Sequence, residues 1–186
     1  MLSAVTVVTF YDTLGQDSID FILNQTQMRT LVCSADKIKN IRDLKIGGKI
    51  PVTTHVIYFD EVKPEEIELA SSCGLTLVSF LDAVKEGKTY TGESANWEAV
   101  TSESLYTLSY TSGTTGVPKG VMLTHLNFVS NMGGLDRNED NDKYNDTDSY
   151  ISYLPLAHVF ERLLLLTCMA VKMEIGFYQG DVLKIT

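Results

Sequence analysis

The chain has 186 residues and a formal net charge of −9, with 15 Lys and Arg against 24 Asp and Glu. With 44% hydrophobic and 21% charged residues it has a globular composition, long enough to bury a real core as roughly one domain. A sequence pI near 4.7 argues against nucleic acid or an anionic membrane surface as a partner, since both need a cationic face.

In chain order, Val5–Phe10 reads as a strand, so the start of the sequence does not resemble a signal peptide. Gly15 breaks it, and Gln16–Gln25 places Ile19, Ile22 and Leu23 on one helical face. Thr30–Cys33 is a short apolar run. Ser34 is placed to cap a helix over Ala35–Leu44, with Ile38 and Ile41 on its apolar side. Val56–Phe59 reads as a buried strand. Pro64 then suits a first helical turn, and Glu65 and Glu66 favour the positive end of that helix. Gly74 ends it, and Leu75–Val78 starts another strand. This alternation predicts βαβ units and mainly parallel sheets flanked by helices.

Residues 87–104 are polar and rich in Gly, Ser and Thr, and read as a surface connection. Leu105–Tyr110 resumes strand character. Thr124 is a candidate N-cap for a helix running to Met132. The segment Asp136–Asp148 holds six acidic and two basic residues, about half of the net charge, and reads as a solvated loop. It is not a calcium loop: Asn141 stands where glycine is needed and Thr147 where glutamate is needed. Val159–Val171 is apolar on nearly every face after Arg162, which predicts burial within a larger protein. Its run Leu163–Val171 is far shorter than the roughly 20 residues of a membrane span. Cys33, Cys73 and Cys168 form no CxxC pair, and the three histidines are scattered, so neither a disulfide framework nor a zinc site is expected.

The segment with chemical character is Tyr110–His125, YTSGTTGVPKGVMLTH. Thr111, Ser112, Thr114 and Thr115 supply hydroxyl donors, and Gly113 and Gly116 let the backbone approach a ligand closely. Successive N–H groups in such a turn form an anion-binding concavity. Lys119 adds a cation, and Pro118 fixes the backbone before it. Together these predict a phosphate cradle. The spacing is not that of a Walker A loop, because only two residues separate Gly113 from Gly116 and Gly120 follows the lysine.

YTSGTTGVPKG resembles the signature of the adenylate-forming superfamily. Tyr153–Glu161 (YLPLAHVFE), Gly176–Asp181 (GFYQGD) and Tyr11–Gly15 (YDTLG) are similar to the long-chain fatty acid–CoA ligases within it. The resemblance runs from about residue 5 to the C-terminus. It implies part of the large N-terminal domain, without the C-terminal lid domain, and hence a fragment expected to be inactive alone. It also implies two-step chemistry: a fatty acid attacks the α-phosphate of ATP, and CoA then displaces AMP. Thr111, Ser112, Gly113, Thr114, Thr115 and Gly116 would hold the β- and γ-phosphates, with Lys119 balancing their charge. His158 would line the pocket near the acyl carboxylate. By its position alone it would be a capping or core histidine. Glu161 would pair with Arg162 or solvent and has no assigned role. Magnesium is expected with ATP, held mainly by phosphate oxygens. The implied setting is intracellular, at the endoplasmic reticulum or peroxisome, with any membrane attachment made by regions not in this chain. The alternatives are a non-catalytic remnant that keeps the loop, or a ligase for a different carboxylic acid.

Overall fold

The computed structural model describes residues 5–11, 14–92, 100–111, 117–136 and 144–181. The chain divides into two compact units. One is Leu14–Ser94, and the other joins the flanking segments Met1–Thr13 and Ala95–Thr186. Strand β1 (Val7–Thr9) belongs to the flanking unit, after which the chain enters the inserted one.

The inserted unit alternates helix and strand. Helix α1 (Gln16–Thr26) buries Ile22 and Leu23 and half-buries Ile19, as the periodicity predicts. Strand β2 (Thr30–Ser34) follows. The helix expected over 35–44 is instead a 3-10 turn (Ala35–Lys37) leading into α2 (Ile38–Ile46). The cause is local: the Ser34 hydroxyl donates to the Asp36 carboxylate and makes no capping bond to the backbone. Ile38, Ile41 and Leu44 form the buried stripe of α2. Next come β3 (His55–Phe59), α3 (Pro64–Ser72), β4 (Thr76–Ser79) and α4 (Phe80–Thr89). Pro64 occupies the first turn of α3, and Gly74 beyond its end has φ +82°, a conformation that glycine adopts without strain. Helix α4 takes the first three residues of the expected connection 87–104, and residues 93–99 lie outside the described ones. Strands β2, β3 and β4 pair in parallel in that order. Ile22, Leu23, Ile50, Val56 and Leu75 make the core of this unit.

In the flanking unit β5 (Leu105–Thr111) is the central strand. It pairs in parallel with β1 and antiparallel with β6 (Lys119–Thr124). The β5–β6 pair is the exception to the expected parallel arrangement. Helix α5 (His125–Asp136) starts directly after β6. Thr124 caps it reciprocally: the Asn127 N–H donates to the Thr124 hydroxyl at 3.3 Å, and the Thr124 N–H donates to Asn127 Oδ1 at 2.9 Å. The helix runs past Met132 to Asp136, the first residue of the acidic segment 136–148. Residues 137–143 of that segment lie outside the described ones. Strand β7 (Ser149–Ser152), helix α6 (Val159–Val171) and strand β8 (Glu174–Phe177) complete the unit, with β7 and β8 parallel.

Helix α6 has the expected limits but an unexpected interior. Its buried residues are Glu161, Arg162, Thr167 and Cys168, while Val159, Phe160 and Met169 are exposed. Glu161 does not turn to Arg162 or to solvent. Its carboxylate accepts from the Tyr150 hydroxyl at 2.6 Å and the Ser152 hydroxyl at 2.5 Å, fastening α6 to β7. Burial and this carboxylate push the Tyr150 phenol well above its ordinary range. Arg162 donates from Nη1 to the Thr107 hydroxyl at 2.7 Å and from Nε to the Leu156 carbonyl at 3.0 Å. Thr107 in turn donates to the Val7 carbonyl at 2.7 Å. The guanidinium also lies 5.9 Å from the Tyr106 ring centre. Burial lowers its pKa from the usual arginine value.

Thr107→Val would take the acceptor from a buried guanidinium N–H and the hydroxyl donor from the Val7 carbonyl. The expected loss is about 1–3 kcal/mol of unfolding free energy, read from urea melts. Adding Arg162→Met removes the orphaned donor. The double variant should therefore lose less than the sum of the two singles, and strict additivity would show that the two side chains are not coupled.

Candidate active site

Thr111 ends β5 and Lys119 begins β6, and the two are direct cross-strand partners. Side chains of opposed residues in an antiparallel pair emerge on the same face. The Thr111 hydroxyl and the Lys119 ammonium thus share one face of a hairpin, at the mouth of its connection. Both residues are exposed, whereas Pro118 just before the strand is buried. Ser112, Gly113, Thr114, Thr115 and Gly116 lie outside the described residues. A hydroxyl donor beside a cation is a pairing suited to phosphate oxygens.

His158 is the N-cap of α6, with extended backbone. Its Nδ1 accepts the Phe160 N–H at 3.2 Å. This is the capping role that its position alone suggested. In the neutral ring, an accepting Nδ1 leaves the hydrogen on Nε2, so the exposed edge of the imidazole is a donor.

A cavity of about 190 Å³ opens beside this turn, between β6, α5 and α6. Leu123, Phe128, Val159, Phe160 and Leu163 give it an apolar wall, and Asn127 and Asn131 are its polar members. Both asparagines are engaged within α5: Asn127 in the helix cap, and Asn131 donating to the Asn127 carbonyl at 2.8 Å. The cavity is smaller than the roughly 300 Å³ of ordinary ligand pockets, so it has room only for a small apolar group.

Arg162 links the two motifs. It holds the Leu156 carbonyl, two residues before His158, and the Thr107 hydroxyl on the strand that ends at Thr111. Four strand residues span about 13 Å from Thr107 to Thr111. Sequence reasoning missed Arg162, Thr107, Glu161 and Tyr150. The available signal was a Glu-Arg pair inside an apolar helix, because charges that are buried there need partners. Among the described residues no three His, Cys, Asp or Glu side chains cluster to hold a metal ion, and no helix is long and apolar enough to cross a membrane.

Residues 1–185 match the family described as AMP-binding enzyme. The chain is 37% identical to fatty acyl-CoA synthetase B of Dictyostelium discoideum, over 96% of this chain and 26% of that protein. It is 34% identical to peroxisomal long chain acyl-CoA synthetase 6 of Arabidopsis thaliana, over 96% of this chain and 24% of that one. Long-chain-fatty-acid–CoA ligase 5 of Rattus norvegicus is 36% identical, again over 96% of this chain and 26% of its own length. The chain thus spans about a quarter of these relatives. Among solved structures, the anthranilate CoA ligase AuaEII in complex with anthranoyl-AMP superposes with a TM-score of 0.73 at 21% identity, covering 95% of this chain and 31% of that one. The adenylation domain of a carboxylic acid reductase from Segniliparus rugosus gives 0.71 at 20% identity, covering 97% and 30%. The fold is that of the N-terminal domain of adenylate-forming enzymes, and the chain belongs to the AMP-binding enzyme family.

Proposed function

We propose that this chain is the phosphate-hairpin portion of an ATP-dependent long-chain fatty acid–CoA ligase. The observation that carries the proposal is the Thr111–Lys119 rung, which brackets the hydroxyl- and glycine-rich residues 112–116. The identity to long-chain acyl-CoA synthetases over nearly the whole chain supports the substrate class. One named relative is peroxisomal, which makes that organelle the location to examine first.

In this reading Thr111, Ser112, Gly113, Thr114, Thr115 and Gly116 hold the β- and γ-phosphates, and Lys119 offsets charge as pyrophosphate leaves. A fatty acid carboxylate attacks the α-phosphate to give acyl-AMP, and the CoA thiol then displaces AMP to give the thioester. The protein's task is orientation and charge stabilisation. His158 donates from Nε2 to the acyl carboxylate, and the start of the acyl chain lies against Val159 and Phe160 in the adjoining cavity. Magnesium would travel with ATP on the phosphate oxygens and neutralise part of their charge.

Palmitate-dependent ATP–pyrophosphate exchange in the natural full-length protein tests the proposal. Lys119→Ala combined with Thr114→Val should lower exchange by about 100-fold or more. Unchanged exchange would sink the phosphate assignment. His158 needs a variant that separates cap from donor. His158→Ser keeps a capping oxygen, so Tm should hold, while KM for palmitate rises about tenfold from the lost charged hydrogen bond. An unchanged KM in that variant would confine His158 to the helix cap.

A further inference from the structure

Gly120 follows Lys119 in β6 and stands directly opposite Tyr110 in β5. Tyr110 is only 6% exposed. A Cβ placed on Gly120 would lie 2.9 Å from Cζ, 3.1 Å from Cε1 and 3.2 Å from the hydroxyl oxygen of Tyr110. Carbon atoms in comfortable contact are about 3.5–4.0 Å apart, so a side chain at 120 collides with the ring. Backbone freedom is not the reason for glycine here. Among the described residues the glycines with positive φ are Gly48, Gly74 and Gly180. What position 120 requires is space. Glycine within a strand is otherwise unfavourable, and an aromatic ring lying across it restores the lost packing.

Side chains alternate along a strand, so Tyr110 emerges on the face opposite Thr111, and Lys119 shares the face of Thr111. The ring therefore covers the back of the hairpin and leaves the face carrying the hydroxyl and the ammonium clear. We infer that Tyr110 and Gly120 are a positioning pair: the ring-over-glycine rung fixes the strands one residue before Thr111 and one residue after Lys119, and so aims those two groups at the polyphosphate of a nucleotide. This rests on the reading of the hairpin as an ATP phosphate site. Tyr110 touches no phosphate in this role.

The test uses the natural full-length protein with two readouts. One is the Kd of a fluorescent ATP analogue, and the other is KM for ATP and for palmitate in pyrophosphate exchange. Gly120→Ala should weaken ATP about tenfold, as an overpacked contact does, with KM for palmitate changed less than about twofold. Tyr110→Leu should also weaken ATP. The double variant should be no weaker than Tyr110→Leu alone, because the ring that the new methyl would strike is gone. Unchanged ATP affinity in Gly120→Ala, equal losses for ATP and palmitate, or an additive double variant would each overturn the pair. If Gly120→Ala fails to fold, Tyr110→Leu decides: unchanged ATP affinity in it overturns the inference. A wild type that binds ATP but shows no palmitate-dependent exchange refutes the proposed substrate and leaves the ATP Kd as the test of the pair. A wild type that binds no ATP refutes both.

Discussion

A guanidinium withdrawn from water must be solvated by the protein, and the way Arg162 is solvated organises the flanking unit. Its donors go to a hydroxyl on the central strand and to a carbonyl in the turn before α6. The hydroxyl it uses is itself committed to the Val7 carbonyl on β1. One side chain thus joins β1, β5 and the turn that carries His158. Neutral acceptors compensate a buried charge incompletely, and the lowered pKa of Arg162 has burial as its main cause. The return on that cost is geometric, because a fan of directed N–H bonds fixes orientation as apolar contacts cannot. Glu161 does the complementary task on the neighbouring position, holding from the start of α6 two hydroxyls of β7.

The hairpin separates a buried face from an exposed one by strand alternation. On one face are Thr111 and Lys119, both exposed; on the other, a buried tyrosine covers a glycine. The motif P-K-G therefore contains three residues with three physical duties. Proline sets the entry, lysine carries the charge, and glycine makes room. His158 has a comparable double character: its Nδ1 accepts the Phe160 N–H at the start of α6, which in the neutral ring leaves Nε2 as the donor.

Much of this was legible in the sequence, and the part that was not shares a cause. The limits of α6 follow from local signals: a proline-containing turn, a capping side chain and an apolar run. The βαβ rhythm of the inserted unit likewise follows from alternating patterns. The 3-10 turn at Ala35–Lys37 escaped because the Ser34 hydroxyl could serve the backbone or Asp36, and spacing does not choose between them. Helix α4 escaped because it begins on the residue after β4, with Ser79 both ending the strand and occupying the N-cap position of the helix and no glycine or proline between them. The more distant partners of Glu161 and Arg162 lie 11 and 55 residues away, beyond any local pattern. Those partners also explain why α6 turns its polar residues inward, against the expectation from its apolar composition.

The pairing of β1 with β5 has a temporal side. Val7 and Thr107 are register partners, separated in the chain by the whole inserted unit. A ribosome adding about 5–20 residues per second takes about 5–20 seconds to deliver β5 after β1. Through that interval β1 waits for β5, while the inserted unit acquires all three strands of its own sheet. The order of assembly is therefore written into the topology: the insert can close first, and the central sheet of the flanking unit must wait for its middle strand.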